Sequence, residues 1–85
     1  MKIIKSKAYK VGDIFLFDER YKGGGIRFAF IGIITKIGYV RIHYKIIHTY
    51  DEYHKKGKNG QFEYESNMYN YSKVITEEEM LARLL

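Results

Sequence analysis

The chain has no cysteine, no proline and no tryptophan. Without cysteine there is neither a disulfide nor a thiolate zinc site, and a reducing compartment is the natural setting. No apolar run approaches the roughly 20 residues that cross a bilayer. The opening MKIIKSKAYK carries charge but no following apolar h-region of a signal peptide. These absences lead us to expect a cytoplasmic protein that does not enter a membrane. Missing proline beside abundant Lys, Ile, Tyr and Asn also fits an AT-rich coding source, such as a phage or mobile element. Acidic residues are scarce over most of the length. Residues 1–62 hold 13 Lys/Arg against five Asp/Glu, a net of +8, whereas residues 63–85 hold two against five, a net of −3. A basic body of this kind suits a polyanionic or acidic partner, with solubility alone as the plain alternative.

Catalytic patterns are missing too. Ser6, Ser66 and Ser72 lack the Gly-x-Ser-x-Gly setting of a nucleophile elbow, and no carboxylate pair stands out from Glu63, Glu65 and the acids near the end. His48, Asp51, Glu52 and His54 crowd together in sequence, but their spacing matches no two-His helix or finger pattern. The expectation is a protein that is not an enzyme, with no cofactor and no metal.

What remains is apolar and aromatic enough to fold. Eighty-five residues make one domain, and nine Tyr with five Phe supply its bulk. The organising stretch is residues 28–48, FAFIGIITKIGYVRIHYKIIH, two strands folded over a turn at Lys36-Ile37-Gly38-Tyr39. Its second half alternates: Val40, Ile42, Tyr44 and Ile46 share one face, and Arg41, His43 and Lys45 share the other. Its first half is apolar on both faces, which predicts a central strand covered on both sides.

Before this hairpin, residues 1–10 form a basic lead-in whose Ile3-Ile4 pair can add an edge strand. A turn at Lys10-Val11-Gly12-Asp13 then launches Ile14-Phe15-Leu16-Phe17. DERYKGGGIR, residues 18–27, reads as a loop with a mobile glycine tip. Lys22 and Arg27 beside three glycines suggest a phosphate cradle, but a strand follows rather than the helix such a cradle needs. After the hairpin, residues 49–61 are polar, and Asn59-Gly60 is a turn signal leading to a strand at Phe62-Glu63-Tyr64-Glu65. NMYNYS, residues 67–72, is open between strand and loop, and Lys73-Val74-Ile75 is a last short strand or the lead into a helix.

That helix has the best-specified start in the chain. Thr76-Glu77-Glu78-Glu79 is a capping box, Ile75 and Met80 occupy the positions of a hydrophobic staple, and three acids suit the helix dipole. Met80, Leu81, Leu84 and Leu85 make an apolar stripe. A helix so short needs a surface to dock on, its own sheet or a partner's.

The expected fold is mainly β: a small antiparallel barrel or strongly bent sheet with strands near 11–17, 28–37, 39–48, 62–66 and 72–75 and a helix over 77–85. Val11-Gly12-Asp13 before the first strand, the DERYKGGGIR loop, Gly32-Ile33-Ile34 and Tyr39-Val40-Arg41-Ile42-His43-Tyr44 together give it a pattern that resembles the SH3-like small barrels. Those include domains associated with ribosomes and nucleic acids and many short phage proteins. The resemblance spans about residues 8–75. The Trp and Pro of peptide-binding SH3 grooves are absent, so recognition of Pro-rich peptides is not expected.

Two functions follow, both of a binding module. In the first, the partner is nucleic acid. Lys36, Arg41 and Lys45 form a stripe on the outer face of the hairpin, extended by Lys55, Lys56 and Lys58 and by Lys22 and Arg27, and Tyr39 or Tyr50 stacks a base. In the second, the chain binds and inhibits an acidic or nucleic-acid-handling protein complex of a host, as anti-CRISPR proteins do. There the contact surface is Tyr64, Met68, Tyr69 and Tyr71, since Tyr and Met are enriched at interface cores.

Overall fold

The computed structural model describes residues 9–84. The expected edge strand at Ile3-Ile4 and the last residue of the expected helix, Leu85, lie outside them. Five strands form one antiparallel sheet: β1 (Ile14–Arg20), β2 (Ile26–Ile37), β3 (Arg41–Thr49), β4 (Asn59–Glu63) and β5 (Ser72–Ile75). A single helical turn, α1 (Asn67–Asn70), separates β4 from β5, and α2 (Glu77–Leu84) follows β5. The order across the sheet is β4-β3-β2-β1-β5, so the apolar stretch does become the central strand. The sheet is open, with β4 and β5 as its two edges.

Alternation sorts the side chains into two layers. On one face Phe15 and Phe17 from β1, Phe30 and Ile34 from β2, Ile42, Tyr44 and Ile46 from β3 and Phe62 from β4 form an aromatic core. The link from β4 to β5 must pass from one edge of the sheet to the other. It crosses this face and inserts Tyr69, and Tyr9 packs edge-on against Phe15, Phe62 and Tyr69. Burial pushes the Tyr9 hydroxyl pKa up to about 12. The opposite face carries a smaller cluster of Leu16, Ile31 and Ile75, against which Ile14, Ile47 and Met80 pack.

Several boundaries differ from expectation for identifiable reasons. β1 starts at Ile14, after the turn at residues 10–13 rather than within it, and runs on past Phe17 through Asp18, Glu19 and Arg20. Those charged residues pair with Ala29, Phe28 and Ile26; an ion pair from Arg27 to Glu19 (3.1 Å) crosses the ribbon, and one from Arg20 to Asp18 (3.2 Å) runs along β1. The glycine-rich connection therefore shrinks to residues 21–25, closed by Tyr21 N–H to the Gly25 carbonyl and Gly24 N–H to the Tyr21 carbonyl. Asn59-Gly60 is not the turn. It lies inside β4, opposite Lys45 and Tyr44, and the chain reverses earlier, at residues 55–58, where Gly57 has φ +89°. Gly60 is glycine because the Tyr44 ring lies across it, where any Cβ would overlap the ring.

The capping box forms as its spacing predicts: Glu79 N–H donates to Thr76 Oγ1 at 3.0 Å, and Thr76 N–H donates to Glu79 Oε1 at 3.5 Å. Ile75 and Met80 meet in one apolar cluster, the staple. Among the described residues the rest of the leucine stripe is not docked. Leu81 and Leu84 remain 52% and 44% exposed, so α2 holds to its sheet through Met80 rather than through a full apolar face. Among the described residues no helix is long and apolar enough to cross a membrane.

Candidate nucleic-acid interface

The sheet face that carries α2 is covered only in part. Met80 sits on the Leu16, Ile31 and Ile75 cluster, and the far end of α2 reaches Tyr50, whose hydroxyl donates to the Arg83 carbonyl at 3.4 Å. The helix thus covers β5, β1 and the Tyr50 end of β3. It leaves open the part of the face that lies toward the β2–β3 turn.

Arg41, His43 and Lys45 stand on this open area, because Ile42, Tyr44 and Ile46 between them are buried in the aromatic core. Lys36 joins them by a less obvious route. Regular alternation from buried Ile34 would place Lys36 over the aromatic core. A bulge between Ile34 and Lys36 shifts the register by one, so that Lys36 faces His43 across the ladder. Directly paired residues project from the same face, and the four side chains form one group. Arg41 is tied to Glu63 of β4 at 3.5 Å, with both side chains more than half exposed. Lys36 and Lys45 are within ion-pair distance of no carboxylate among the described residues.

Lys55, Lys56 and Lys58 lie at the turn before β4, and the pairing of Lys58 with core-facing Ile46 puts its side chain on the opposite face from this group. Lys58 carries the ladder one pair beyond β4: the Ile46 N–H donates to its carbonyl, and the Gly57 N–H donates to the Ile46 carbonyl, both at 2.8 Å. The anchor of the loop that presents them is Asp51. Its carboxylate accepts the N–H groups of Ala29 (2.7 Å), Tyr53 (2.8 Å) and His54 (2.6 Å) and meets His54 Nδ1 at 3.0 Å. Burial alone would raise the pKa of this carboxyl. Hydrogen bonds from His54 and from the Ala29 backbone outweigh that, and it lies below the usual carboxylate range. The His54 ring is in turn packed against Phe17, Phe28 and Phe30. Asp51 and His54 are therefore structural partners, a role that the sequence marks only as an Asp three residues before a His in a turn-rich stretch. Among the described residues no three His, Asp or Glu side chains gather closely enough to hold a metal ion.

Lys22 and Arg27 are not part of the group. They lie at the β1–β2 turn, and Arg27 is nine residues from Lys36 along β2, about 30 Å at a strand rise of roughly 3.3 Å. Arg27 is also engaged, paired with Glu19 and lying over the Phe28 ring at 5.0 Å. No helix follows the three glycines.

The residues of the expected aromatic surface, Tyr64, Met68, Tyr69 and Tyr71, do not form one exposed patch, although Tyr64 packs on Tyr69 at 5.8 Å. Tyr69 is 3% exposed in the core and Met68 packs against that core, because α1, capped by Ser66, turns both inward as it crosses the sheet. Tyr64 and Tyr71 stay exposed but at different places. Tyr64 donates to the Gly38 carbonyl beside the β2–β3 turn, whereas Tyr71 lies by β1, its carbonyl accepting the Asp18 N–H. A cleft of about 370 Å³ opens there, lined by Leu16, Asp18, Tyr71, Ser72, Lys73 and Arg83, apart from the cationic group on β2 and β3. Comparison with protein-family models, with curated proteins and with solved structures finds no match.

Proposed function

We propose that this chain is a non-enzymatic binding module whose partner is nucleic acid, held on the open face of β2 and β3. The supporting observation is the grouping of Lys36, Arg41, His43 and Lys45 on the part of the sheet that α2 leaves uncovered. Lys36 and Lys45, without carboxylate partners among the described residues, neutralise phosphates at little cost, and the Arg41–Glu63 pair is solvent-open and weak. We read the architecture as SH3-like. A four-strand meander with a fifth strand returning beside the first is the order that reading needs, although the edges are not joined.

The rival reading, a protein inhibitor of the anti-CRISPR kind, relied on a tyrosine and methionine surface. Two of its four residues, Met68 and Tyr69, pack into the fold, and Tyr64 and Tyr71 are exposed at separate places.

Titration of a labelled oligonucleotide at several salt concentrations tests the proposal. Affinity should fall with salt, with a log–log slope of about 0.7–0.9 per phosphate neutralised, and replacing Arg41 and Lys45 together with Gln should flatten it by about two contacts. Both side chains point away from the core, so the variant should fold. A slope unchanged by the double replacement would remove this face from the interface, and a complete absence of binding would sink the nucleic-acid reading.

A further inference from the structure

We propose that the partner is single-stranded, and that Tyr39 is the platform on which one of its bases stacks. This rests on the nucleic-acid reading and makes it specific. Tyr39 is fully exposed at the tip of the β2–β3 turn, and its ring touches no other ring among the described residues. The turn beneath it is firmly built. Gly38 N–H donates to the Arg41 carbonyl at 2.8 Å, and the Tyr64 hydroxyl donates to the Gly38 carbonyl at 3.4 Å. A large ring held out on a braced turn contributes nothing to this fold and keeps both of its π-faces free.

The surroundings select the partner. Ile37 and Val40, 37% and 56% exposed, flank the ring with apolar surface, while Lys36 and Arg41 bracket the turn in sequence. From there Arg41, His43 and Lys45 run along β3 at every second residue, a step of about 6.8 Å. That step is of the order of the separation between phosphates in an extended single strand. A backbone lying along β3 would thus bring a terminal base to Tyr39. A duplex offers matching phosphates but keeps its base faces stacked inside, so it gains nothing from the ring. Tyr50, the other candidate platform in the sequence, is already occupied: its ring packs edge-on to His48 and its hydroxyl bonds to α2.

Fluorescence anisotropy on the full chain, at about 50 mM and about 200 mM salt, tests this with single strands of DNA and of RNA and with a duplex, all of about 12 nucleotides per strand. The single strands should bind at least about ten-fold more tightly than the duplex. Tyr39→Ala should weaken single-strand binding about ten-fold, leave duplex binding and the salt slope unchanged, and be rescued by Tyr39→Phe. Lys36→Gln with Lys45→Gln should flatten the slope for all the probes. If Tyr39→Ala binds as the native chain does, or if duplex and single strand bind equally, the stacking proposal is overturned. The cationic face still stands in that case provided the lysine variant flattens the slope. No binding of any probe at the lower salt overturns both, and retention of a protein partner after nuclease treatment, lost in Tyr39→Ala, assigns the tip to protein instead.

Discussion

The carboxylate of Asp51 accepts the backbone N–H of Ala29 at 2.7 Å, a side chain standing in for a rung of the β2–β3 ladder. Just beside it the ladder is irregular, with a register shift between Ile31 and Gly32. Because β3 ends at Thr49, opposite Phe30, Asp51 satisfies a donor just past the end of the ladder, and with the same carboxylate it closes the loop back onto itself through Tyr53 and His54.

A pH dependence follows with a definite sign. The folded-state pKa of Asp51 is depressed, so the unfolded chain takes up this proton first as the solution is acidified. The stabilisation is complete above the ordinary Asp range near 3.8 and is lost as pH falls from there through the lower, folded value. Urea unfolding at a series of pH values should show an acid limb that is shallower in Asp51→Asn. Near neutral pH, Asp51→Ala should cost about 3 kcal/mol, since hydrogen bonds to a charged group contribute roughly 1.5–3 kcal/mol.

A second test concerns close packing rather than charge. A methyl group at residue 60 would overlap the ring of Tyr44, which is itself stacked on Phe30 at 5.3 Å. Gly60→Ala should therefore destabilise by about 1–3 kcal/mol, the usual cost of overpacking. If β4 began later and Gly60 were only a turn residue, thermal denaturation would show a much smaller loss.

Gly60 also shows why the strand boundaries were only partly legible. Asn-Gly is a sound local signal for a turn, but here the glycine answers to a ring from the neighbouring strand, which local sequence does not reveal. Asp18-Glu19-Arg20 misleads for a similar reason, since cross-strand pairing and ion pairs override its loop-like composition. The features that were legible are local. The period of two in β3 and the Thr76–Glu79 box each involve residues close in sequence. The candidate face lies between these cases. Alternation places Arg41 and Lys45 outward, but Lys36 joins them through a bulge, and Lys22 and Arg27 are set apart by the length of β2. Tyr69 looked like surface because its neighbours are polar, and the crossing of α1 buries it.

The cap and the single docking residue of α2 can be separated. Thr76→Ala should cost about 1 kcal/mol through the lost acceptor. Met80→Ala should cost about 1–2 kcal/mol, below the range of a fully buried Met because Met80 is only partly buried. Leu84→Ser, at an exposed position, should stay within about 0.5 kcal/mol. Equal losses for Met80 and Leu84 in chemical denaturation would mean that the helix lies on the sheet by a broader face.

The last expectation contrasts two ends of one strand. Arg27 and Lys36 both belong to β2, but Arg27 already pairs with Glu19 and covers the Phe28 ring, whereas Lys36 has no carboxylate partner among the described residues. The Arg27 pair is shorter and its carboxylate more buried than the solvent-open Arg41–Glu63 pair, so Arg27 gives up more to neutralise a phosphate, and it also stands far from the cationic group along β2. Arg27→Gln should therefore leave the salt slope of oligonucleotide binding unchanged. Its effect on stability should be modest, within about 1 kcal/mol for a pair that remains partly exposed. Lys36→Gln should do the reverse, flattening the slope by about one contact with little change in stability. Equal flattening by both would mean that nucleic acid wraps the whole length of β2, and the interface would have to include the β1–β2 turn.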